Sequence, residues 1–282
     1  MTPALKFEFR LAPSQKSKPA FPEEDRPSPA TTNGTNTPTT STASKAHKIK
    51  DVDEYVSDID NHSPTWHLAY VHETHRIILN KYCIFRPQYI LMTQSARHLQ
   101  TSPLNSDDLR AAWTTLQTFE GSHYLIYNCA KNAGGSRLHK HMQLFEQSED
   151  ELLPDVILRD EKVKKSIPYK YQLERIPEDL TEAEDVAEWL AATYRRHVEW
   201  TAEVLGSSVE ACEEEQEKIV PHNIVLTKRW LMTIPRRGAG VGRATANAAG
   251  MIGLVWVSEQ PIVELWKELG PTKVLATLGV EA

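Results

Sequence analysis

Between Tyr124 and Phe145 the chain reads YLIYNCAKNAGGSRLHKHMQLF, a run that few folds accommodate. Tyr124–Tyr127 is apolar enough for a buried strand. Asn128–Arg137 is small and polar, the composition of a turn. His139–Phe145 then carries His139, His141 and Gln143 at alternate positions. Strand side chains alternate between faces with period two. If extended, the segment sets both imidazoles and the Gln143 amide on one face. Lys140, Met142 and Leu144 take the other. The expectation is two strands joined by a loop whose backbone can approach a ligand, with the histidines beside it.

The rest of the chain is large enough to support such a site. Its 282 residues are 40% hydrophobic and include seven Trp, enough for one large domain or two modest ones. A net charge of −6 argues against a protein that coats nucleic acid, which carries a basic excess. Cys83, Cys129 and Cys212 form an odd set without CxxC spacing, so neither a disulfide framework nor a zinc ribbon is suggested. No apolar run reaches the roughly 18 residues of a membrane span. No charged start leads into a signal-type apolar segment. A soluble protein of a reducing compartment is expected, cytoplasmic, with the nucleus not distinguished from it.

Read in order, Leu5–Leu11 alternates like a half-buried strand. Residues 12–50 are rich in Pro, Ser and Thr and have little to bury, which predicts a disordered insertion. His75–Asn80 and Tyr89–Thr93 read as strands. Ser106 caps a predicted helix over Asp107–Phe119, in which Leu109, Ala112, Trp113 and Leu116 recur at helical spacing. Tyr169–Arg175 alternates like a strand, Thr181–Val204 is the longest amphipathic helix, and Asn223–Ile234 reads as a hairpin. Arg236–Gly250, rich in Gly and Ala, is expected to be a flexible loop. A strand at Met251–Val257 and helices at Ser258–Gly270 and Pro271–Gly279 follow. The order predicts an α+β fold with a mainly antiparallel sheet and flanking helices.

Three chemistries fit HKHMQ. The histidines can be satisfied structural residues. They can be two zinc ligands, but zinc needs a third, and no HExxH or paired cysteine supplies one. Or a neutral imidazole can attack phosphorus and pass the group on. That requires donors for the phosphate oxygens and a loop that admits them. Gln143, Gly134, Gly135, Ser136 and Arg137 offer those parts. Lys140, pointing away from His141, is expected to be a solvated surface residue. GAGVGR at Gly238–Arg243 neither follows a strand nor opens a helix as a phosphate-binding turn requires.

With YNCAKNAGGSR before HKHMQ, the chain resembles the histidine-triad superfamily. More specifically it resembles the branch that holds galactose-1-phosphate uridylyltransferase and the fungal ATP adenylyltransferases, also called diadenosine tetraphosphate phosphorylases. NIVLTKRWLMTIPRR, GMIGLVWVSEQ and ELWKELGPTKVLATLGV resemble the adenylyltransferases independently, as do FEFRLAPSQKSKP, RIILNKY and LQTSPLNSDDL.

The resemblance implies a histidine-triad-like fold. It divides the chain into an N-terminal strand (1–11), the insertion (12–50), a catalytic domain (51–167) and an adenylyltransferase C-terminal domain (168–282). It implies a nucleotidyltransferase that cleaves diadenosine tetraphosphate with phosphate to ATP and ADP, through an adenylyl-histidine, and runs the reverse transfer. His141 would be the nucleophile, His139 a supporting residue, and Gln143 the contact to the transferred phosphate. Asn80, Lys81, Asn128, Gly134, Gly135, Ser136, Arg137, Val225, Leu226, Thr227, Met232 and Arg236 would meet substrate. A divalent cation such as Mg²⁺ would be held by the substrate phosphates, with no protein metal site. The partners would be diadenosine polyphosphates, ATP, ADP and phosphate, without nucleic acid or membrane. The chain departs from the family at Tyr82-Cys83 (commonly Phe-Pro), at Arg137 (commonly Gln) and at Ala130 (often Gly). It also begins almost at the FEFRL strand, where the family commonly has a further segment with a substrate-binding lysine. A weakened nucleotide-binding paralogue and a zinc-dependent hydrolase are the alternative readings.

Overall fold

The computed structural model describes residues 5–13, 57, 59, 65–84, 86–206 and 219–282. Its strands are β1 (Glu8–Leu11), β2 (His67–Val71), β3 (His75–Leu79), β4 (Gln88–Thr93), β5 (His123–Cys129), β6 (His141–Glu146), β7 (Gln172–Arg175), β8 (His222–Leu226), β9 (Trp230–Pro235), β10 (Gly240–Val241), β11 (Ala244–Thr245) and β12 (Leu254–Val257). Its helices are α1 (Ser106–Thr118), α2 (Leu153–Arg159), α3 (Glu161–Lys164), α4 (Ala183–Leu205), α5 (Ala248–Met251), α6 (Gln260–Leu269) and α7 (Pro271–Leu278).

Eight strands form one sheet in the order β2-β3-β4-β6-β5-β8-β9-β7. Every pairing in it is antiparallel. The α+β class and antiparallel character are as expected. Strands from 51–167 and from 168–282 meet at β5 and β8, where Asn128 pairs with Asn223. The strand carrying His141 therefore lies mid-sheet, between β4 and β5.

Period two decides what each face buries. On β5 and β6, Leu125, Tyr127, Met142 and Leu144 join Leu91, Ile224 and Leu231 in a core closed by α1 and α4. The alternate residues Tyr124, Ile126 and Phe145 join Val225, Met232 and Ile234 in a second core. That core is closed by Trp266 of α6, Val274 and Leu278 of α7, and Val255 of β12. β1 runs parallel to β12 as a separate ribbon over this face. Among the described residues, no helix is long and apolar enough to cross a membrane.

Three local expectations are corrected. Asn105, not Ser106, caps α1: its side chain accepts from the Asp108 N–H while the Asp108 carboxylate accepts from the Asn105 N–H. This capping box satisfies two otherwise orphaned donors. Residues 236–250 are not a flexible loop. They form the β10–β11 hairpin, and Ala248–Met251 form the buried helix α5. Ala12, assigned to the insertion, is 2% exposed and donates its N–H to Val257 O at 2.7 Å. The insertion from residue 14 onward, and the acidic stretch 207–217, lie outside the described residues.

Candidate active site

The β5–β6 ladder runs from His123–Glu146 to Ile126–Gln143 and stops there. Past that point the strands part, and their backbone groups need other partners. Gln100 supplies them. Its Oε1 accepts from the His141 N–H at 2.8 Å, and its Nε2 donates to Asn128 O at 3.0 Å and to His141 O at 3.1 Å. The splay opens room for the turn at Lys131–Ala133 and for the Gly134–Ser136 segment after it.

His141 Nδ1 lies 2.8 Å from the carbonyl oxygen of His139. A carbonyl only accepts, so Nδ1 carries the proton and the lone pair sits on Nε2. His139 takes the opposite tautomer. The Thr93 hydroxyl gives its only proton to Ser95 O at 3.0 Å, so it accepts from His139 Nε2–H at 2.9 Å. The Ser57 hydroxyl, 2.6 Å away, then donates to His139 Nδ1. His139 is wholly buried, a support that orients the backbone carbonyl holding His141.

His141 opens on a cleft. The lining includes Asn80, Asn128, Gly134, Gly135, Ser136 and Gln143, all expected from the sequence. Each of the amide side chains has its oxygen occupied. Asn80 Oδ1 accepts from the Tyr82 N–H at 2.9 Å. Asn128 Oδ1 accepts from Asn223 Nδ2 at 2.9 Å and from the Ala248 N–H at 2.8 Å. Gln143 Oε1 accepts from Gln88 Nε2 at 2.9 Å. The NH₂ ends of Asn80, Asn128 and Gln143 are what remain for a ligand. A lining of donors, with no carboxylate among the described residues, suits an acceptor-rich anion such as a phosphate.

The loop is held from behind by Arg236, which is 1% exposed. Its guanidinium donates to the carbonyls of Ala133, Gly238, Ala246 and Leu278 and to Asn223 Oδ1. Asn223 Nδ2 also donates to Ala133 O at 2.8 Å. The network bolts the 131–136 loop to the 246–248 turn. Burial pulls the Arg236 pKa down to about 9, so it stays charged at neutral pH. Close packing explains the glycines. A Cβ on Gly134 (φ +82°) would sit 3.0 Å from Ala246 O, and one on Gly135 would sit 2.8 Å from Ala130 O. Ala130 itself has φ +70°, ψ 171°, a backbone state that favours glycine.

Not every expected residue reaches the cleft. Lys81 is exposed, with its Nζ 5.7 Å from the Tyr82 ring. Arg137 is buried, its guanidinium 5.8 Å from the same ring. Val225, Leu226 and Met232 are core residues of β8 and β9, and Thr227 is buried at the turn between those strands. Arg236 acts through the loop. Lys140 is not a solvated surface residue: it is buried and ion-paired to Asp108 on the opposite face of the strand. Among the described residues, no three His, Cys, Asp or Glu side chains converge as a metal-ligand set.

Sequence reading missed Tyr82, Ile84, Gln88, Asn247 and Trp256 in the lining, and Gln100 behind it. Gln88 could have been found by carrying the period of β4 back from Ile90, which pairs with Gln143. Asn247 carried a cap signal, an asparagine ahead of Ala-Ala-Gly, and it caps α5. Gln100 and Tyr82 gave no periodic signal.

A family model described as the ATP adenylyltransferase C-terminal domain matches residues 165–281. A second, the Ap4A phosphorylase N-terminal domain, matches residues 36–157. Diadenosine 5′,5‴-P1,P4-tetraphosphate phosphorylase 2 of Saccharomyces cerevisiae is 26% identical over 221 residues, which is 67% of this chain and 64% of that protein. Protein APA1 of the same organism is 25% identical over 209 residues, 65% of this chain and 61% of that protein. The chain thus spans just under two thirds of the curated relatives it matches. The crystal structure of yeast Ap4A phosphorylase Apa2 superposes with a TM-score of 0.66 at 21% identity, covering 82% of this chain and 83% of that one. The same protein in complex with Ap4A gives 0.62 at 18% identity, over 78% and 79%. These superpositions speak to the fold, and the two family models between them take in both halves of the sheet. The chain belongs to the Ap4A phosphorylase family.

Proposed function

We propose that this protein is a nucleotidyltransferase that cleaves diadenosine tetraphosphate with inorganic phosphate to ATP and ADP. The observation that carries the reading is the His141 Nδ1 to His139 carbonyl bond of 2.8 Å, which leaves the Nε2 lone pair as the nucleophile beside Gln143 in a donor-lined cleft. The relatives' names supply the substrate class: a diadenosine tetraphosphate phosphorylase, and a structure of one in complex with Ap4A.

In the first step Nε2 attacks the phosphorus of an adenosine-bearing phosphate. A P–N bond forms, the bond to the bridging oxygen breaks, and ATP leaves with that oxygen. The adenylyl-imidazole carries positive charge, which the Nδ1–H shares with the His139 carbonyl. The NH₂ of Gln143 and the N–H or hydroxyl of Ser136 would donate to the phosphoryl oxygens as charge gathers on them, the Gly134 and Gly135 N–H groups being already given to Lys131 O and Ala130 O. In the second step an oxygen of inorganic phosphate attacks, the P–N bond breaks, ADP leaves, and His141 returns to its starting tautomer. Reversal gives adenylyl transfer to ATP.

A divalent cation such as Mg²⁺ would screen the polyphosphate charge. Among the described residues the cleft lining has no carboxylate, which is compatible with a cation carried in by the phosphates.

The test incubates the protein with diadenosine tetraphosphate, phosphate and Mg²⁺. ADP and ATP should appear in equal amounts, and His141→Ala should abolish both. With substrate labelled in the adenosine-linked phosphate and no added phosphate, wild type should hold an acid-labile adenylyl group. Turnover in His141→Ala at the wild-type rate would sink the reading.

A further inference from the structure

A glutamine amide can present either its oxygen or its NH₂ to a ligand, and only the NH₂ can donate to a phosphoryl oxygen. The neighbours of Gln143 decide which end faces the cleft. The Ile84 backbone N–H can only donate, and it lies 2.8 Å from Gln88 Oε1. That end of Gln88 is therefore the oxygen, and the other end is the NH₂. The NH₂ lies 2.9 Å from Gln143 and must donate to it, so the Gln143 atom facing Gln88 is Oε1. The NH₂ of Gln143 is then the end left for the cleft. Gln88 is itself held firmly: it is 2% exposed, and its backbone carbonyl accepts from the Asn80 N–H at 2.9 Å.

We propose that Gln88 is a positioning residue for adenylyl transfer, fixing the Gln143 amide so that a donor, and not a lone pair, meets the phosphoryl oxygens. The inference rests on the reading of His141 and Gln143 given above. It assigns a role to a residue one shell behind the reaction, acting through another side chain. An unfixed Gln143 would sample the flipped state, in which its oxygen opposes the developing negative charge. That penalty belongs to the transition state, so it appears in kcat more than in KM.

The test uses the full chain and the chemistry of the amide itself. In Gln88→Glu, a protonated carboxyl keeps the pattern: its C=O accepts from Ile84 and its O–H donates to Gln143. The ionised carboxylate has no donor, so Gln143 turns its NH₂ towards it and away from the cleft. The kcat of Gln88→Glu relative to wild type should therefore climb as pH is lowered through the titration of the introduced carboxyl. Gln88→Leu should lose kcat by about tenfold to a hundredfold at every pH, a fraction of the loss for removing a whole oxyanion donor. In a Gln143→Leu background, Gln88→Leu should cost nothing further, since the residue it acts through is gone.

Wild-type kcat in Gln88→Leu overturns the proposal, as do fully multiplicative losses in the double variant. A flat pH ratio for folded Gln88→Glu does the same. If circular dichroism shows Gln88→Glu unfolded, the leucine cycle decides alone. If wild type shows no turnover of diadenosine tetraphosphate, the function reading falls first. The Gln88 claim is then decided by AMP affinity across the leucine variants, where the same non-additivity is expected and additive losses overturn it.

Discussion

Lys140 Nζ lies 3.0 Å from Asp108 Oδ2 directly behind the strand that carries His141, and His75 Nε2 meets the other carboxylate oxygen at 2.9 Å. Burial pushes the Asp108 carboxyl up, but the hydrogen bond from His75 and the charge of Lys140 outweigh it and hold the pKa below the usual carboxylate range. Lys140→Met leaves that carboxylate buried without its cation. Breaking such a pair costs about 3–5 kcal/mol, and a lower Tm with loss of activity in parallel is expected. A carboxylate held below its unfolded value stabilises the fold above a pH of about 4 and loses that contribution as pH falls through the folded value. Urea titrations of wild type and Asp108→Asn below pH 5 check the sign.

Ala130→Gly should stabilise the protein. Ala130 sits at φ +70°, ψ 171°, and an alanine there costs on the order of 1–3 kcal/mol of strain. Glycine relieves the strain but adds unfolded-state entropy of roughly 0.5–1 kcal/mol, so a net gain of about 1 kcal/mol is expected. Tm by differential scanning calorimetry measures it. A lower Tm would mean the backbone is not strained at this position.

Gly135→Ala should lose activity. Its added Cβ would approach Ala130 O to 2.8 Å and Asn128 O to 3.0 Å, both backbone atoms that cannot swing aside. The loop must shift by several tenths of an ångström, and Asn128 and Ser136 shift with it. We expect kcat/KM to fall by about a hundredfold, as misplacement of roughly an ångström does. Gly238→Ala, with open space around its Cβ, should leave the rate unchanged.

Stability should drop between about pH 6.5 and pH 4, before Asp108 titrates. His222 is fully buried, donates Nδ1–H to Val220 O at 2.6 Å and accepts from the Tyr194 hydroxyl at 2.7 Å. Burial lowers its pKa to about 4. The unfolded chain takes up the proton first, so stability is full above the unfolded value and drains as pH falls towards the folded one. The depression corresponds to about 3 kcal/mol. His197 and His123, both lowered by burial, add in the same direction. Urea unfolding at pH 7.5 and 4.5 should show the loss, and His222→Asn should show a smaller one.

Much of the layout was legible because its signals are local. The helical spacing of Val186, Leu190, Tyr194 and Thr201 predicted α4, whose buried face includes those residues. The pattern over Asn223–Ile234 predicts the β8–β9 hairpin. The Gly/Ala stretch 236–250 misled because its order comes from elsewhere. Arg236 is fixed by carbonyls of Ala133 and Leu278, far from it in sequence. Lys140 misled for the same reason: alternation shows that it faces away from His141, but not that Asp108 waits there.

The order of residues alone puts His141 and Gln143 on one face, since a strand's period is fixed by backbone geometry and needs no partner. It also determined that small residues adjoin them. The closed sheet settles which nitrogen of His141 carries its proton, which end of Gln143 faces the cleft, and that Gln100 bridges the parted strands while Arg236 ties down the loop. Those outcomes depend on donors and acceptors at Ile84, Gln88, Asn223 and His139. Such groups become neighbours only once the sheet has closed, because a hydrogen bond is decided by position and not by sequence distance.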